Sequence, residues 1–510
     1  MGEHESKKVI IIGAGPAGLT AAYELGKAGV SAIVLEKDQV VGGLARTVNH
    51  KGFRFDIGGH RFYTKVKAAA DIWREVLPPA DFLRRKRLSR IYYNKNFFHY
   101  PLRVSSILFK LGLWNSSLIL LSYLYARLFP ARAERTFEDW VTNRFGKRLY
   151  TIFFKSYTEK VWGIPCSEIT AEWATQRIKG LSLGEVLKDI LFRQTNSKGS
   201  AIKTLINEFD YPRLGPGMMW ETMAELARSN GGTIRPGSSV ETIRWSEAAI
   251  TSVVISNEGR HESMVGTHFI SSMPIAELVH KLEPAPPPAV LEASEKLHYR
   301  DFLTVVLIIN AEELFPDNWI YIHDPEVKMG RVQNFKNWSP DMVPDPKKTC
   351  LGLEYFCFDG DGLWTMSDNE LIELGKTELE KLGLARADDV EDGTVVRVPK
   401  AYPVYDSTYK QALQTLRDFF QSFANLQLVG RNGMHKYNNQ DHSMLTAFLA
   451  ARNILGGSHD LWAVNTEPDY QEEVRLPALE ISPYSLSGLA ASQPMVPQRI
   501  LASAGTPAMK

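Results

Sequence analysis

The sequence predicts an α/β fold in which an N-terminal parallel sheet is combined with an antiparallel sheet and a helical insertion. Two observations carry this prediction. A β-branched run, a glycine-rich turn, a helix and a second β-branched run follow one another at the N-terminus. Later stretches, above all 232–280 and 302–309, have the alternating or β-branched composition of antiparallel strands. The 510 residues are enough for two or three domains around a large core.

The N-terminal pattern predicts a Rossmann-type dinucleotide site. Gly13 allows a tight turn, Gly15 lets the backbone approach a pyrophosphate, and Gly18 lets helix and strand pack closely. The N–H groups at the start of the helix then face the phosphates. Glu36 ends the second strand, where an acid accepts hydrogen bonds from a ribose diol and repels a 2′-phosphate. The pattern favours FAD or NAD, and the alternative is a loop that only turns the chain.

Composition narrows the function classes. Hydrophobic residues make up 44% and charged residues 23% of the chain, which is typical of a globular protein. The net charge of +1 provides no global field for nucleic acid, so an anionic ligand must be held by local arginines. Cys166, Cys350 and Cys357 are too widely spaced for a zinc or dithiol site and are expected to be buried, and no metal is expected. The N-terminus lacks a secretory pattern, so we expect a cytoplasmic protein.

The apolar segment 102–129 is expected to form a buried or interfacial helix pair. Its longest uncharged piece, 111–126, is shorter than the roughly 20 residues that span a bilayer. Weak association with a membrane surface is the alternative, because Trp114, Tyr123 and Tyr125 suit a membrane interface.

A basic cluster and several further elements follow from composition and periodicity. Residues 84–87 with Arg90 are expected to form a solvated basic face, the alternative being a phosphate-rich or lipid-linked partner. We also predict an N-capped helix, an amphipathic helix, a buried strand, a closing helix and, from Pro477 on, a mobile tail. The helices are 136–150, 368–384 and 443–455, and the strand is 426–430.

A second glycine motif, Gly42-Gly43-Leu44-Ala45-Arg46, lies just beyond the second strand. Together with the first motif it resembles a flavoprotein group that includes amine oxidases, phytoene desaturases, protoporphyrinogen oxidases and UDP-galactopyranose mutases. In that group the second glycine pair and its arginine lie beside FAD. The resemblance therefore favours FAD over NAD.

The rest of the chain looks most like the eukaryotic type of UDP-galactopyranose mutase. Two stretches, 157–163 (YTEKVWG) and 439–443 (NQDHS), are the most specific to that branch. The stretches that carry the resemblance are 52–62, 100–102, 136–177, 401–403 and 430–444. One departure is Trp338, which stands where those mutases have a tyrosine, so the identity of the sugar stays open.

The resemblance implies a redox-neutral isomerase of polysaccharide biosynthesis that interconverts the pyranose and furanose forms of a nucleotide sugar. N5 of reduced FAD would attack the anomeric carbon and expel UDP, and the adduct would open as an iminium, reclose through the 4-hydroxyl and be displaced by the retained UDP. NADPH or NADH are candidate reductants. The rival hypotheses are an FAD-dependent oxidase or desaturase and a non-enzymatic flavin-binding scaffold.

The resemblance also implies residue roles. The implied catalytic residues are His60, Arg177 and Arg331, and Arg300 competes with Arg331 for one role. The implied cofactor-binding residues are Gly13, Gly15, Gly18, Glu36, Gly43, Arg46, Gly59, Gly430, Arg431, Asn439, Gln440, Asp441 and Ser443. The implied substrate-binding residues are Tyr100, Trp162, Arg300, Tyr321, Trp338, Tyr402 and Tyr437.

The combined prediction is an α/β fold with a Rossmann-type FAD-binding domain, a mixed antiparallel-sheet substrate domain and a helical insertion. The FAD-binding domain is assembled from separated segments. The predicted divisions are 1–100, 216–280 and 421–460 for the FAD-binding domain, 101–215 for the helical insertion, 281–420 for the substrate domain and 461–510 for a C-terminal extension.

Overall fold

The computed structural model describes residues 7–100, 104–131, 133–171, 204–205, 207–465 and 473–474. For 104–109, 113, 204–205 and 473–474 it describes the backbone alone. Arg177 and the tail predicted from Pro477 on lie outside the described residues.

The elements alternate between strands and helices along most of the chain. The first hundred residues contain β1 (Val9–Ile12), α1 (Pro16–Lys27), β2 (Ala32–Leu35), β3 (Thr47–His50), β4 (Phe53–Asp56), α2 (Lys67–Val76), β5 (Phe82–Lys86), β6 (Ser89–Tyr93) and β7 (Asn96–His99). They are followed by α3 (Val104–Leu128), α4 (Phe137–Phe145), α5 (Lys147–Leu149), α6 (Ser156–Trp162), β8 (Thr204–Leu205), β9 (Glu208–Pro212), α7 (Gly217–Ser229), β10 (Thr233–Arg235), β11 (Ser239–Ser246), β12 (Ala249–Asn257), β13 (Arg260–Val265), β14 (His268–Ser271), α8 (Ile275–His280), β15 (Leu282–Glu283) and α9 (Pro288–Glu295). The last elements are β16 (Tyr299–Ile309), β17 (Trp319–Ile322), β18 (Arg331–Asn334), α10 (Phe335–Trp338), β19 (Thr349–Cys357), α11 (Asp368–Lys381), β20 (Val390–Pro403), α12 (Tyr409–Gln421), β21 (Leu426–Leu428), α13 (Gln440–Ile454) and β22 (Glu473–Val474).

A five-stranded parallel sheet with the order β10-β2-β1-β14-β21 forms the nucleotide-binding layer. β1 is fully buried, as its β-branched sequence requires of a strand covered on both faces. Pro16 at the start of α1 suits a position whose N–H has no partner within the helix. Since β14 and β21 come from distant parts of the chain, this layer is built from separated segments.

A seven-stranded mixed sheet with the order β20-β16-β19-β18-β17-β6-β7 forms the second layer. Its neighbours are antiparallel except β17 and β6, which run parallel. A further sheet, β13-β12-β11-β15, packs beside the nucleotide-binding layer. The α/β class and the antiparallel strands predicted over 232–280 and 302–309 are confirmed.

The helical segment α3 to α6 has an aromatic core of its own. Thr136 caps α4 and exchanges hydrogen bonds with Asp139, and the turn at Gly146 separates α4 from α5. Residues 150–155 form a π-helical turn before α6. Gly112 interrupts α3 with φ 79° and ψ 162°, so the expected helix pair is present as two pieces joined at a kink. Within the part of the chain that the structure describes, no helix has the length and hydropathy needed to traverse a bilayer.

The basic cluster is split between solvent and interior. Arg84 and Lys86 are exposed, as predicted. Arg85 turns inward and donates to the carbonyl of Trp338 (2.8 Å), and Arg90 is paired with a buried aspartate. Arg87 lies over the rings of Tyr100 (5.2 Å) and Trp319 (5.5 Å). The prediction of one solvated basic face is therefore wrong for these three: Arg85 alternates with its exposed neighbours in β5, and Arg87 and Arg90 have partners inside the protein. The three cysteines are buried and free, as expected.

Candidate functional site

A cavity of about 1220 Å³ lies between the parallel sheet and the seven-stranded sheet. It is lined by the C-terminal ends of β1 and β2, by the first turns of α1 and α13, and by residues of β17, β18 and β20. In open α/β sheets, ligands bind at this end of the strands. The predicted site residues that line the cavity are Gly13, Gly15, Glu36, Gly43, Arg46, Gly59, His60, Tyr321, Arg331, Trp338, Tyr402, Gly430, Arg431, Tyr437, Asn439, Gln440, Asp441 and Ser443.

The two glycine motifs meet backbone to backbone at one end of this cavity. A Cβ atom added to Gly43 would lie 3.1 Å from the Cα atom of Gly15. Gly13 has a φ of +99°, and its Cβ would lie 2.2 Å from the hydroxyl of Ser272. A Cβ on Gly18 would lie 1.8 Å from the Gly13 carbonyl, so this glycine serves the packing of α1 on β1 and does not line the cavity. The backbone therefore forms a groove that side chains at 15 and 43 would fill.

Glu36 connects β2 to this groove. Its carboxylate accepts hydrogen bonds from the backbone N–H of Ala14 (2.7 Å) and of Asp38 (3.0 Å). Burial raises the pKa of Glu36, while the two N–H donors oppose this effect. Arg46 in turn forms an ion pair with Asp38. The second glycine motif is thus fastened to the loop that follows β2.

The first turn of α13 borders the groove from the other side. Asn439 is the N-cap of α13, so the helix begins at Gln440, three residues earlier than the predicted 443. The carboxylate of Asp441 accepts a hydrogen bond from the Thr64 hydroxyl (2.8 Å), and Gly430 has a φ of +80° beside Ala17. Two helix N-termini and a glycine-lined groove therefore meet here, which fits the diphosphate of a dinucleotide such as FAD.

His60 lies on the wall between the two sheets, after Gly58 and Gly59. Its Nδ1 atom is 3.1 Å from the carbonyl of Gly58. Burial, with smaller contributions from Arg431 and Arg331, lowers the pKa of His60 to about 3. The ring is therefore neutral at pH 7, and because a carbonyl can only accept, Nδ1 carries the proton. Nε2 is left as an acceptor.

A row of polar residues crosses the seven-stranded sheet under the cavity. The register pairs Tyr321 with Arg331 and Arg331 with Glu354. Arg331 is ion-paired to Glu354, which is fully buried, and donates to the hydroxyl of Tyr402 (3.3 Å). The other oxygen of Glu354 accepts from the amide of Gln333 (2.8 Å). Arg331 is therefore held in one orientation with part of its guanidinium facing the cavity.

Arg431 and two tyrosines form a stacked group beside this row. The rings of Tyr402 and Tyr437 lie 5.7 Å apart and are nearly parallel. The guanidinium of Arg431 lies 5.4 Å from the first ring centroid and 4.9 Å from the second, and it donates to the carbonyls of Asn438 and Ala401. Cation–π contact and backbone hydrogen bonds together fix this charge at the cavity wall.

Some of the predicted residues lie behind the wall. Tyr100 packs against Tyr321 (5.1 Å between ring centroids), and Trp162 packs against Tyr402 (6.4 Å). Trp338 reaches the wall but is almost fully buried, and its indole N–H donates to the carbonyl of Asn318 (2.9 Å). These aromatic rings support the site from behind.

The expected competition between Arg300 and Arg331 is decided by position. Arg300 is buried and absent from the residues that line the cavity. Its guanidinium donates to the carbonyls of Val161 (3.1 Å) and Phe356 (2.8 Å) and lies over the ring of Phe358. The expectation that Arg300 reaches the site is therefore wrong, because its Nε and Nη2 groups donate to backbone carbonyls of α6 and β19 and hold the side chain there.

Sequence reasoning missed Glu354 and Gln333. Glu354 is the single charged residue in β19, whose nine residues are all buried. A lone acid in an apolar strand indicates a buried cationic partner. Gln333 is two residues from Arg331, so the period of a strand places both on one face. Both signals are present in the sequence, but the partner of Glu354 follows only from the register.

The cavity is more basic than the chain as a whole. Eleven of its lining residues are Lys or Arg and four are Asp or Glu, although the whole chain has a net charge of +1. Six of these cations are ion-paired to carboxylates, namely Arg46, Lys281, Arg331, Arg397, Lys400 and Arg417. The remaining excess of cations suits a ligand that carries phosphate groups.

Comparison with known proteins gives a family and short local matches. The sequence profile of flavin-containing amine oxidoreductases matches residues 16–455. A stretch of 50 residues is 52% identical to the inactive all-trans-retinol 13,14-reductase of Danio rerio and covers 10% of this chain and 8% of that protein. A stretch of 112 residues is 34% identical to the L-amino acid oxidase Cdc18 of Crotalus durissus cumanensis and covers 19% of this chain and 22% of that protein. These matches span less than a quarter of either relative's length.

Among solved structures, the crystal structure of reduced UDP-galactopyranose mutase is similar over nearly the whole chain. The TM-score is 0.78, and the superposition covers 91% of this chain and 98% of the mutase. The sequences are 21% identical. This likeness shows a shared fold.

Proposed function

Because the chain belongs to the family of flavin-containing amine oxidoreductases, we propose that it is an FAD-dependent isomerase that interconverts the pyranose and furanose forms of a nucleotide sugar. FAD is the cofactor that the family and the glycine-lined groove both support. The mutase activity is a more specific proposal than FAD binding. It rests on the residues of the seven-stranded sheet that line the cavity away from the glycine motifs. The reaction would need the flavin in its reduced form and would leave its redox state unchanged.

The observation that carries the proposal is the buried support of Arg331. A guanidinium that stays charged and is fixed in orientation suits the oxygens of a leaving diphosphate. Glu354 and Tyr402 hold Arg331 from one side, so its charge is aimed at the cavity. We assign to Arg331 the task of retaining the nucleotide diphosphate while its bond to the sugar is broken and remade. Arg177, implied as a second clamp, stays a prediction.

When bound in reduced form, the flavin supplies the electron pair that the anomeric carbon accepts in place of the departing diphosphate, and that pair is later returned. The chain's own residues position the groups. The neutral imidazole of His60 offers Nε2 as a hydrogen-bond acceptor toward the flavin, and because its pKa is low it adds no positive charge there. The hydroxyls of Tyr402 and Tyr437 are assigned to the diphosphate, where phenols donate.

The aromatic residues that line the cavity are also assigned the exclusion of water from the site. A sugar whose bond to the diphosphate is broken is open to hydrolysis, so a hydrated site would lose substrate. Tyr321, Trp338 and the Tyr402–Tyr437 stack line the cavity with aromatic surface, and Tyr100 and Trp162 pack behind it. We assign the remaining predicted glycines and the first turn of α13 to FAD, as the sequence implied.

An FAD-dependent oxidase is the second candidate. The names of the local relatives favour it, since one is an L-amino acid oxidase. An oxidase transfers hydride from a substrate carbon to oxidised flavin, and a buried arginine in such a site can hold a substrate carboxylate as well as a phosphate. The two candidates therefore differ in redox state and product mass, not in the charge of the site.

The test is anaerobic incubation of the FAD-loaded protein with UDP-galactose and other nucleotide sugars, with and without dithionite. We expect a furanose product of unchanged mass from the reduced protein alone. Arg331→Lys is the matched variant, because it keeps the charge but loses the fixed fork, and we expect it to lower turnover with the flavin content unchanged. Oxygen consumption with an amino acid or amine, and no isomerisation of any nucleotide sugar, would favour the oxidase and exclude the mutase.

A further inference from the structure

Helix α3 carries an apolar face that the flavin site does not use. Of the ten large apolar side chains that are exposed in the described residues, seven lie between 114 and 129. Trp114, Leu121, Tyr125 and Leu128 recur at helical spacing and are 62 to 76% exposed. We call this set the α3 apolar face; its members are Trp114, Leu120, Leu121, Leu124, Tyr125, Leu128 and Phe129.

The opposite side of the same helix is fully packed. Ile119, Tyr123 and Ala126 are buried, and the first two belong to the aromatic core formed with α4 and the π-helical turn. After the kink α3 therefore carries large apolar residues on two sides, and the protein covers only one of them. An apolar surface of this extent on a soluble protein marks a contact with another apolar surface.

The exposed charges of α3 itself have one sign. The sequence has no Asp or Glu in 104–131, whereas Lys110 and Arg127 are exposed at the two ends. The carboxylates that follow the helix are already engaged: Glu134 is ion-paired to Arg144 (2.6 Å), Glu138 is ion-paired to Lys147, and Asp139 accepts from the backbone N–H of Thr136 at the cap of α4. The rim therefore complements an anionic partner.

This combination fits a lipid surface better than a second copy of the chain. Two identical faces related by a twofold axis would bring the same cationic side chains of α3 together, with no acid on either helix to offset the repulsion. Trp114 and Tyr125 have the amphipathic rings that favour the interface between headgroups and acyl chains. We propose that the α3 apolar face docks on a bilayer that contains anionic phospholipids, with the helix lying in the plane of the interface.

Vesicle co-sedimentation of the FAD-loaded protein tests this proposal. The variant Leu121→Ser/Leu124→Ser/Leu128→Ser removes three apolar groups from the face, and the matched control Val265→Ser removes an equally exposed one (63%) from β13. With vesicles of phosphatidylcholine and phosphatidylglycerol, we expect the triple variant to bind roughly tenfold or more weakly and the control to bind like the parent chain. Binding should weaken with pure phosphatidylcholine and at high salt.

Flavin content and the unfolding midpoint show whether each variant is folded. Failure of the parent chain to pellet with anionic vesicles would overturn the proposal, as would equal binding by the triple variant. Sedimentation velocity provides a further outcome: a parent dimer that the triple variant converts to monomer, without vesicle binding, would make a second copy the occupant. These results are independent of the mutase activity.

Discussion

Replacing Glu354 with glutamine separates the charge of this side chain from its shape. In the native chain Glu354 is fully buried and accepts from Arg331 and Gln333. A glutamine can keep both contacts, since its oxygen accepts from Arg331 and its NH2 donates to Gln333 once that amide turns over. The oxygen of Gln333 is buried and has no hydrogen-bond partner among the described residues, so this rotation breaks nothing. The perturbation is therefore the loss of one buried negative charge.

The expected loss of stability follows from the geometry of the pair. Breaking a buried ion pair costs about 3 to 5 kcal/mol, and the 20% exposure of Arg331 places Glu354→Gln near the lower end. Arg90 and Asp317 form a matched pair away from the cavity, with exposures of 24% and 0%. Asp317→Asn should therefore lower the free energy of unfolding by a similar amount, measured by urea denaturation of the FAD-loaded proteins.

Binding of UDP distinguishes the two variants. A carboxylate and a phosphate on opposite sides of one guanidinium are roughly 7 Å apart and repel by about 2 kcal/mol at an effective dielectric near 20. Glu354→Gln should therefore tighten UDP binding by up to roughly thirtyfold in isothermal titration, whereas Asp317→Asn should leave it unchanged. The reasoning is refuted if Glu354→Gln costs less than about 1 kcal/mol, or if its affinity for UDP is unchanged or lower.

Two further predictions concern the flavin groove and the imidazole. Gly15→Val should abolish flavin binding while the apo protein keeps its unfolding midpoint, because the added side chain does not clash with the backbone but fills the groove. Gly18→Ala should instead fail to fold, because its Cβ atom would overlap the carbonyl of Gly13. His60 has a native pKa of about 3 against 6.5 when unfolded, so the native state binds fewer protons and stability is lost as the pH falls from about 6.5 towards 3. His60→Gln should flatten that decline in urea midpoints between neutral and acidic pH, and an unchanged slope would contradict the assigned protonation state.

The sequence predicted the geometry of the glycine turn better than the pairing of buried charges on distant strands. Gly13, Gly15 and Glu36 were predictable because one turn and two adjacent strands define their geometry. The choice between Arg300 and Arg331 was not, because it depends on which face of which strand meets the helical segment. A single sequence shows strand periodicity but not the register between distant strands, which sets the partners of buried charges.

The helical segment shows the same limit. Its apolar composition indicated burial, and the side that carries Ile119 and Tyr123 is buried as expected. The other side is exposed, because α4 and the π-helical turn cover one flank. Composition predicts how much apolar surface a helix has, whereas the number of neighbouring elements decides how much of it is covered.

The most direct test of the central claim is positional isotope exchange in a nucleotide sugar. UDP-galactose, or whichever nucleotide sugar the reduced protein isomerises, would carry ¹⁸O as the oxygen that bridges the anomeric carbon and the β-phosphorus. If Arg331 retains the diphosphate while the bond from the anomeric carbon to the bridging oxygen is broken and remade, the label moves to non-bridging positions in recovered substrate, only with reduced flavin and much more slowly in Arg331→Lys. A furanose product formed with the label still entirely in the bridge would contradict the account.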